Sequence, residues 1–128
     1  GGPAMPAFGF GVGLERVIQT LLEQGAALPT APRRLRLIPM DESADAFCFS
    51  WAKHLRHLGV ATEVDWAHKK PKTALKDAAD QQVGFVCFVG EQELSTKQFI
   101  VKDMSLHQSF SGAQQDVEQR LVYEVQNA

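Results

Sequence analysis

The sequence has few cysteines, no long apolar run and no signal-peptide pattern, which are the features of disulfide-rich, membrane-spanning and exported proteins. It contains two cysteines among 128 residues, and none of its apolar runs is long enough to cross a bilayer. The start, Gly1 to Pro6, lacks the basic region and cleavage pattern of a signal peptide. We therefore expect a cytoplasmic protein with no membrane partner. With 45% hydrophobic residues and a net charge of -2, the chain can form one modest globular domain with an appendage.

Catalytic and metal-binding patterns are also missing. Cys48 and Cys87 each lie within an apolar pattern and have no close His or Cys companion, so we expect buried thiols in preference to a disulfide or a metal pair. The four histidines are not spaced with acids or cysteines as metal ligands are, and no Ser, Cys or Lys stands beside a His and a carboxylate. These absences favour a binding function, with no metal and no cofactor held by this chain.

What the sequence does contain is a pair of apolar runs on either side of a short polar stretch. Phe85–Val89 is continuously apolar and rich in β-branched and aromatic residues, which predicts a strand covered on both faces in an α/β sheet. A second strand is predicted at Phe99–Lys102, after a polar loop. Ligands bind beyond the carboxyl ends of strands in open α/β sheets. Glu91, Gln92 and Glu93 are therefore the first candidates for function.

Strands and helices alternate along the rest of the chain. Strands are predicted at Leu35–Pro39 and Val60–Trp66, and helices from Asp41 to Gly59, from Thr73 to Gln82 and from Ser111 or Gly112 onward, with 103–110 irregular. This alternation predicts a three-layer α/β/α domain, with three helices packed on a mixed, mostly parallel sheet of about five strands.

A lysine-rich segment contrasts with the slightly acidic average of the chain. His68 to Lys76 contains four lysines and no acid: Lys69, Lys70, Lys72 and Lys76. Local positive potential favours a surface that faces phosphates. The alternative is a lysine-rich loop that is only solvated.

The first residues carry glycines and an amphipathic helix. Gly9 to Gly13 is not a dinucleotide fingerprint, because Leu14 stands where a third glycine is needed. A helix is predicted at Leu14–Gln24, after a glycine-rich strand. The run from Pro6 to Arg16 resembles motif 3 of the class II aminoacyl-tRNA synthetases, in the form found in the histidyl enzymes. The resemblance implies ATP-binding roles for Gly13 and Arg16, with the guanidinium on the ATP phosphates.

The rest of the chain resembles the anticodon-binding domain of class IIa synthetases, again most closely that of the histidyl enzymes. The matching residues follow in the family's order: Leu55-Arg56 and Gly59-Val60, Leu75-Lys76 and Ala78, Val89-Gly90-Glu91 and Glu93-Leu94, Val101-Lys102-Asp103-Met104 and Gln108. The expected domains are residues 1–27 for the end of a catalytic domain, 28–34 for a linker that contains two prolines, and 35–128 for the anticodon-binding domain.

The resemblance implies a longer parent enzyme. In the family, motifs 1 and 2 and the histidine-recognising segments lie upstream of motif 3, so we expect an inactive C-terminal fragment, a strand-helix remnant of the catalytic domain followed by the α/β domain. The parent is expected to be a homodimeric histidine-tRNA ligase that uses ATP and magnesium. The expected partners of the fragment are the upstream catalytic domain and the tRNA(His) anticodon stem-loop.

The resemblance also implies which residues bind tRNA. Glu93 matches the family's glutamate, and its carboxylate can accept hydrogen bonds from guanine N1 and N2 in the GUG anticodon. By its chemistry, Lys102 can donate to a base carbonyl or a phosphate, with Glu91 and Gln92 nearby. The charge pattern, and not the resemblance, predicts that the four lysines contact the RNA backbone. The alternative for Glu93 is an ion pair with Lys102 across a hairpin.

Two other interpretations of the whole chain stay open. One is a noncatalytic synthetase-like module, a regulator or accessory subunit, which an intact motif 3 argues against. The other is a small-ligand domain of the flavodoxin type, which would need a phosphate-binding loop after Pro39 that this sequence lacks.

Overall fold

The computed structural model describes residues 1–27 and 29–127, which fall into two compact units, Gly1–Ala31 and Pro32–Ala128. The strands are β1 (Leu35–Pro39), β2 (Thr62–Val64), β3 (Phe85–Val89), β4 (Gln98–Asp103) and β5 (Gln108–Ala113). The helices are α1 (Leu14–Glu23), α2 (Asp45–His57), α3 (Pro71–Asp80), α4 (Glu91–Thr96) and α5 (Gln114–Gln126), and a 3-10 turn, Glu42–Ala44, precedes α2. Leu28, the first residue of the predicted linker, lies outside the described residues.

The strands of the second unit form one sheet in the order β2-β1-β3-β4-β5. β1 pairs in parallel with β2 and β3, whereas β4 is antiparallel to both β3 and β5. β4 therefore runs against the other strands. Helices α2 and α5 pack on one face of the sheet and α3 packs on the other. The predicted α/β architecture, three layers around a mixed and mostly parallel sheet, is confirmed.

The closed face, which we define as the face of the sheet under α2 and α5, holds the larger core. The ring of Phe99 lies 4.7 Å from Trp51 and 5.5 Å from Phe47, measured between ring centroids. Side chains alternate along a strand, so Phe99, Val101 and Asp103 of β4 all point to this face and are buried. The smaller core lies under α3 and contains Ile38, Ala74, Ala78, Val83 and Val86.

The central elements form where the sequence predicts them. β1 and β3 have the predicted bounds, because both are buried on two faces and a continuous apolar run marks such a strand. The carboxylate of Asp41 accepts a hydrogen bond from the N–H of Ser43 at 2.9 Å and caps the turn before α2. Gly59, with φ of +90°, follows the end of α2 in the left-handed conformation that glycine tolerates.

Some predicted boundaries are wrong. α3 begins at Pro71 and not at Thr73, because proline suits the first helical position, where no hydrogen bond from its nitrogen is needed. β2 is limited to Thr62–Val64 because only these residues pair with β1 in register.

Two elements form where loops were predicted. Residues 91–96 form α4, and Lys97, with φ of +56°, connects it to β4. Residues 108–113 form β5, which pairs with β4 along its whole length, and α5 begins only at Gln114. Pairing with β4 outweighs the weak strand propensity of a Ser- and Gly-containing segment.

The first unit is built around α1. The helix ends in a Schellman motif, in which Gly25 has φ of +77° and the N–H of Ala26 donates to the carbonyl of Leu21 at 3.0 Å. The strand predicted before α1 does not form. Residues 1–13 have no regular secondary structure, because no strand among the described residues supplies hydrogen-bond partners for them. The apolar stripe of α1 is exposed: Leu14, Val17, Ile18, Leu21 and Leu22.

Within the described ranges, every helix is too short or too polar to cross a membrane.

Candidate functional site

The carboxyl ends of the three parallel strands meet at one edge of the sheet, which we call the carboxyl edge. Met40 follows β1, Asp65 follows β2 and Gly90 follows β3 at this edge. The predicted site residues Glu91, Gln92 and Glu93 occupy the first turn of α4, immediately after Gly90. The predicted location beyond the central strand is therefore correct, although these residues are helical and do not form a loop.

Glu93 has a structural role that fixes its carboxylate. Its Oε2 accepts a hydrogen bond from the backbone N–H of Gly90 at 3.0 Å, which is one half of a capping box, since glycine has no side chain to supply the other half. A Cβ on Gly90 would lie 3.2 Å from this oxygen and 3.2 Å from the Cγ of Met40, so the site has no spare room for a side chain. The second oxygen of Glu93, Oε1, makes no hydrogen bond to the described residues. One carboxylate oxygen thus orients the group and the other is available.

The structure does not bring Lys102 to Glu93. In the register of the sheet, Lys102 lies opposite Val86 near the start of β3, whereas Glu93 lies beyond the end of β3. The three residue steps from Val86 to Val89 span about 10 Å at the usual rise of a strand. The predicted alternative, an ion pair between Glu93 and Lys102, is therefore wrong. The two strands are joined by α4 and not by the short hairpin loop that such a pair would need.

Lys102 instead belongs to a face of the sheet that no helix among residues 32–127 covers. We call it the open face: the α3 side of β4 and β5, where Lys102 lies opposite Ser109 and Ile100 lies opposite Ser111. Ile100 is 60% exposed, and both serines are exposed. Sequence reasoning missed Ile100, Ser109 and Ser111. The sequence gives no local signal for this surface, because Ile100 lies in a continuous apolar run from Phe99 to Val101, and its exposure depends on how β4 sits in the sheet.

The four predicted lysines differ in their surroundings. Lys69 is half-buried and paired: its Nζ contacts the carboxylate of Asp77 and lies 3.6 Å from Oδ2 of Asp65. The hydrogen bond with Asp77 raises the pKa of Lys69. Lys70, Lys72 and Lys76 are exposed, and the last two lie one turn apart on α3. The structure therefore separates one structural lysine from three that face solvent.

His68 ties the start of the lysine segment to α2. Its Nε2 lies 2.8 Å from Oδ1 of Asp45, the first residue of that helix. This hydrogen bond, together with the negative charges of Asp45, Glu42 and Asp41, raises the pKa of His68. The segment is thus held at the carboxyl edge by a contact that strengthens when the imidazole is protonated.

Two partly buried ion pairs lie away from the carboxyl edge. Arg33 donates to Asp103 at 2.7 Å, and its guanidinium lies 4.0 Å from the centroid of the Phe85 ring. Burial raises the pKa of Asp103, but hydrogen bonds from the N–H of Leu106, from Arg33 and from the N–H of Ser105 outweigh burial, so this pKa is lowered.

The other pair joins β1 to β2. Arg36 is only 6% exposed and donates to Glu63 at 3.0 Å and to Gln81 at 2.6 Å. Both arrangements stabilise the fold away from the candidate site.

The motif 3 residues lie in the first unit. Gly13 precedes α1 and Arg16 lies in its first turn, and both border a groove of about 440 Å³. A Cβ on Gly13 would be 3.8 Å from the Cβ of Arg16, which is an ordinary contact, and one on Gly9 or Gly11 would meet nothing within 4 Å. These residues alone do not form a nucleotide cradle, because one guanidinium is the only cationic side chain between Gly1 and Ala31.

Other chemistry is not supported within the described residues. Cys48 and Cys87 are free and buried, as predicted, and burial raises the pKa of Cys48 to about 12 and also raises that of Cys87. No group of three or more His, Cys, Asp or Glu side chains in residues 1–27 and 29–127 is arranged to hold a metal ion.

Comparison with known proteins gives one family match and many relatives. The family described as "Anticodon binding domain" matches residues 34–124. Histidine–tRNA ligase of Chlamydia trachomatis serovar L2 is 86% identical over 128 residues, which is all of this chain and 30% of the relative. The corresponding ligase of Chlamydia abortus is 63% identical over 127 residues, again 30% of its length. The chain thus spans under a third of these curated relatives.

Two solved structures of histidyl-tRNA synthetases contain a region that is similar in fold to this chain. Apo histidyl-tRNA synthetase of S. aureus superposes with a TM-score of 0.67 at 26% identity, over 85% of this chain and 28% of the synthetase. Histidyl-tRNA synthetase from Nostoc sp. PCC 7120 gives a TM-score of 0.68 at 20% identity over 88% of this chain and 26% of that protein, a similarity that speaks for the fold alone.

Proposed function

This chain belongs to the family of anticodon-binding domains, and from that membership we propose that it binds the anticodon stem-loop of tRNA(His) as part of a histidine-tRNA ligase. The observation that carries the proposal is the family match over residues 34–124, which is the α/β domain with its carboxyl edge and open face. The high identity to chlamydial histidine–tRNA ligases supports the amino acid specificity.

We propose that residues 1–27 end a catalytic domain, 28–34 form a linker and 35–128 form the anticodon-binding domain. The division into two compact units near Ala31 supports these bounds, as does the exposed apolar stripe of α1, which needs a cover that a longer protein would supply. The longer protein would be a cytoplasmic homodimer that joins histidine to tRNA with ATP and magnesium. Arg16, beside Gly13, would contact ATP phosphates there, and the chain by itself would be inactive.

We propose that the first turn of α4 reads the anticodon. Guanine offers two donors, N1 and N2, to a single carboxylate, and Glu93 presents a carboxylate whose position is fixed by its own bond to Gly90. Glu91 and Gln92 are exposed beside it and can hydrogen-bond the edges of neighbouring bases. A preoriented reader loses little side-chain freedom on binding, which favours specificity.

The open face and the lysines would contact the rest of the loop. Lys102 can donate to a phosphate or a base carbonyl, Ile100 offers an apolar surface to a splayed base, and Ser109 and Ser111 can hydrogen-bond to it. Lys70, Lys72 and Lys76 would contact RNA phosphates at the carboxyl edge. Lys69 would act there by ordering the segment through Asp65 and Asp77.

The test is the binding of Glu93→Gln to two stem-loops at one salt concentration. We expect a loss of about 1 to 3 kcal/mol against the tRNA(His) anticodon stem-loop, the usual cost of one base contact, and little change against a stem-loop in which the guanine is replaced. Glutamine can still accept the hydrogen bond from Gly90, so α4 should stay folded.

The matched control is Glu124→Gln, which alters a glutamate near the far end of α5. An equal effect of Glu93→Gln on both RNAs, or none on either, would assign Glu93 to helix capping alone. The search for the reading residue would then move to Glu91 and Gln92.

A further inference from the structure

A second surface with the character of an RNA-binding site lies beside the edge strand β2. We call it the edge groove: a groove of about 310 Å³ lined by Phe49, Ala52, Arg56, Glu63, Val64 and Trp66. It runs between α2 and β2 on the outer edge of the sheet, two strands away from β3. Two strand spacings are about 10 Å, so the edge groove and the first turn of α4 would meet different nucleotides.

Two large aromatic side chains of the edge groove are exposed without serving the core. Phe49 is 65% exposed and Trp66 is 47% exposed, whereas Trp51, two residues after Phe49 on the same helix, is 2% exposed. Phe49 lies off the buried stripe of α2, and Trp66 follows the end of β2. Packing in the core therefore accounts for Trp51, but it does not account for the exposed rings of Phe49 and Trp66.

The charged side chains that α2 places beside the edge groove are positive. Phe49, Lys53 and Arg56 are spaced by four and three residues and share one stripe of α2, and the helix contains no acid from Phe49 to its end at His57. The Nε of Arg56 donates to the carbonyl of Thr62 at 2.9 Å, which holds the guanidinium over β2.

The one acid of the groove is already neutralised. Glu63 lies 2.9 Å from Arg36 and 3.4 Å from Arg34, measured between the charged atoms. Aromatic rings beside unopposed cations form the arrangement that binds unpaired nucleotides, with bases stacked on the rings and phosphates on the cations.

We propose that the edge groove binds an unpaired nucleobase of the RNA, stacked on Trp66 and Phe49, with its phosphate on Arg56 and Lys53. The inference rests on the proposed function, because it assumes that this domain binds RNA. It adds a contact that would strengthen binding without distinguishing one base from another, because every base offers a face for stacking.

The two tryptophans make the proposal measurable. The chain contains two, and Trp51 is buried, so iodide quenching of fluorescence should report mainly on Trp66. We expect the tRNA(His) anticodon stem-loop to protect Trp66 from iodide. Trp66→Ala and Phe49→Ala should each weaken binding about tenfold, as expected for the loss of one stacked base. Trp66→Phe, which keeps a stacking ring, should retain most of the affinity.

Tyr123→Ala is the matched control, because Tyr123 is 60% exposed on α5 and lies outside the edge groove. Thermal unfolding of each variant shows that the fold is kept. Normal RNA affinity in both aromatic variants, with Trp66 still open to iodide, would overturn the edge groove and leave the proposed function intact. Absence of RNA binding by the parent chain would overturn both. Protection of Trp66 in the longer ligase before RNA is added would assign the groove to a protein contact.

Discussion

The two faces of β4 differ in what their side chains do. On the closed face, Phe99, Val101 and Asp103 are 2%, 0% and 5% exposed. Phe99 and Val101 share the core with α2 and α5, and Asp103 pairs with Arg33. On the open face of the same strand, Ile100 is 60% exposed beside Lys102. One strand thus supplies both the core and a candidate binding surface. Stability and binding should therefore respond to different residues that are neighbours in sequence.

The largest expected effect tests this division within β4. Phe99→Ala should lower the free energy of unfolding by about 3 to 5 kcal/mol, because it removes the ring packed on Trp51 and Phe47. Ile100→Ala should change it by less than about 0.5 kcal/mol, because that side chain is mostly solvated. Urea unfolding followed by circular dichroism measures both, and a comparable loss in Ile100→Ala would mean that the open face is covered.

The lysine segment should show the same division on a smaller scale. Lys69→Ala should lower the free energy of unfolding, because it leaves the nearly buried carboxylate of Asp65 without its neighbouring positive charge. Replacing Lys70, Lys72 and Lys76 by alanine should leave stability unchanged. It should lower the salt dependence of RNA binding by about 0.7 to 0.9 per lost phosphate contact, equally for all RNAs.

The two readouts for the lysines are urea unfolding and binding titrations at several salt concentrations. Unchanged affinity and slope in the triple variant would make these lysines ordinary solvated surface.

Lowering the pH should reduce the stability of the domain through protonation of Asp103. The folded state holds the pKa of Asp103 below its ordinary value of 3.8, so the stabilisation is present above that pH and is lost as the pH falls through the lowered pKa. Asp103→Asn should therefore be less stable than the parent at pH 6, with a gap that narrows toward pH 2. Unfolding curves across this range measure the gap, and exposed Asp80→Asn is the control. A gap that stays constant with pH would exclude the ionised carboxylate as the cause.

The smallest expected effect concerns the first unit. The closed-face core draws its residues from Leu35 onward, so a chain that begins at Ala31 should fold with its free energy of unfolding changed by less than about 0.5 kcal/mol. Circular dichroism and urea unfolding of the shortened chain provide the measurement. Failure of that chain to fold would show that α1 is part of the domain.

Sequence patterns predicted the elements that are buried on two sides. β1, β3 and the apolar stripe of α2 follow from their own residues, because burial on both faces requires a continuous apolar run and burial of a helix stripe requires a repeat of three and four. β5 has only Phe110 as a large apolar residue, and its pairing with β4 is decided by tertiary contacts. The short helix α4 begins at glycine, which gives no side-chain cap signal.

The candidate site was predictable in place but not in detail. The carboxyl edge follows from the order of strands, so Glu91, Gln92 and Glu93 could be placed. The bond from Gly90 to Glu93 is local to the first turn of α4, and it was missed because residues 91–97 were predicted as a loop. The pairing of Lys69 with Asp77 depends on how the segment before α3 folds back on that helix, which no local pattern records. The exposure of Trp66 was equally hidden, because alternation in residues 60–66 predicted a longer strand than the one that forms.

The short connection at Lys97 determines which side chains of β4 face the core, and this limits the length changes that the domain can tolerate during evolution. Side chains alternate with a period of two, so a single-residue insertion or deletion between α4 and β4 would exchange the inward and outward sets. Lys102 would then enter the core while Val101 emerged, and folding and binding would fail together. Length changes at this connection should therefore survive only in pairs of residues, and relatives that differ here should differ by even numbers.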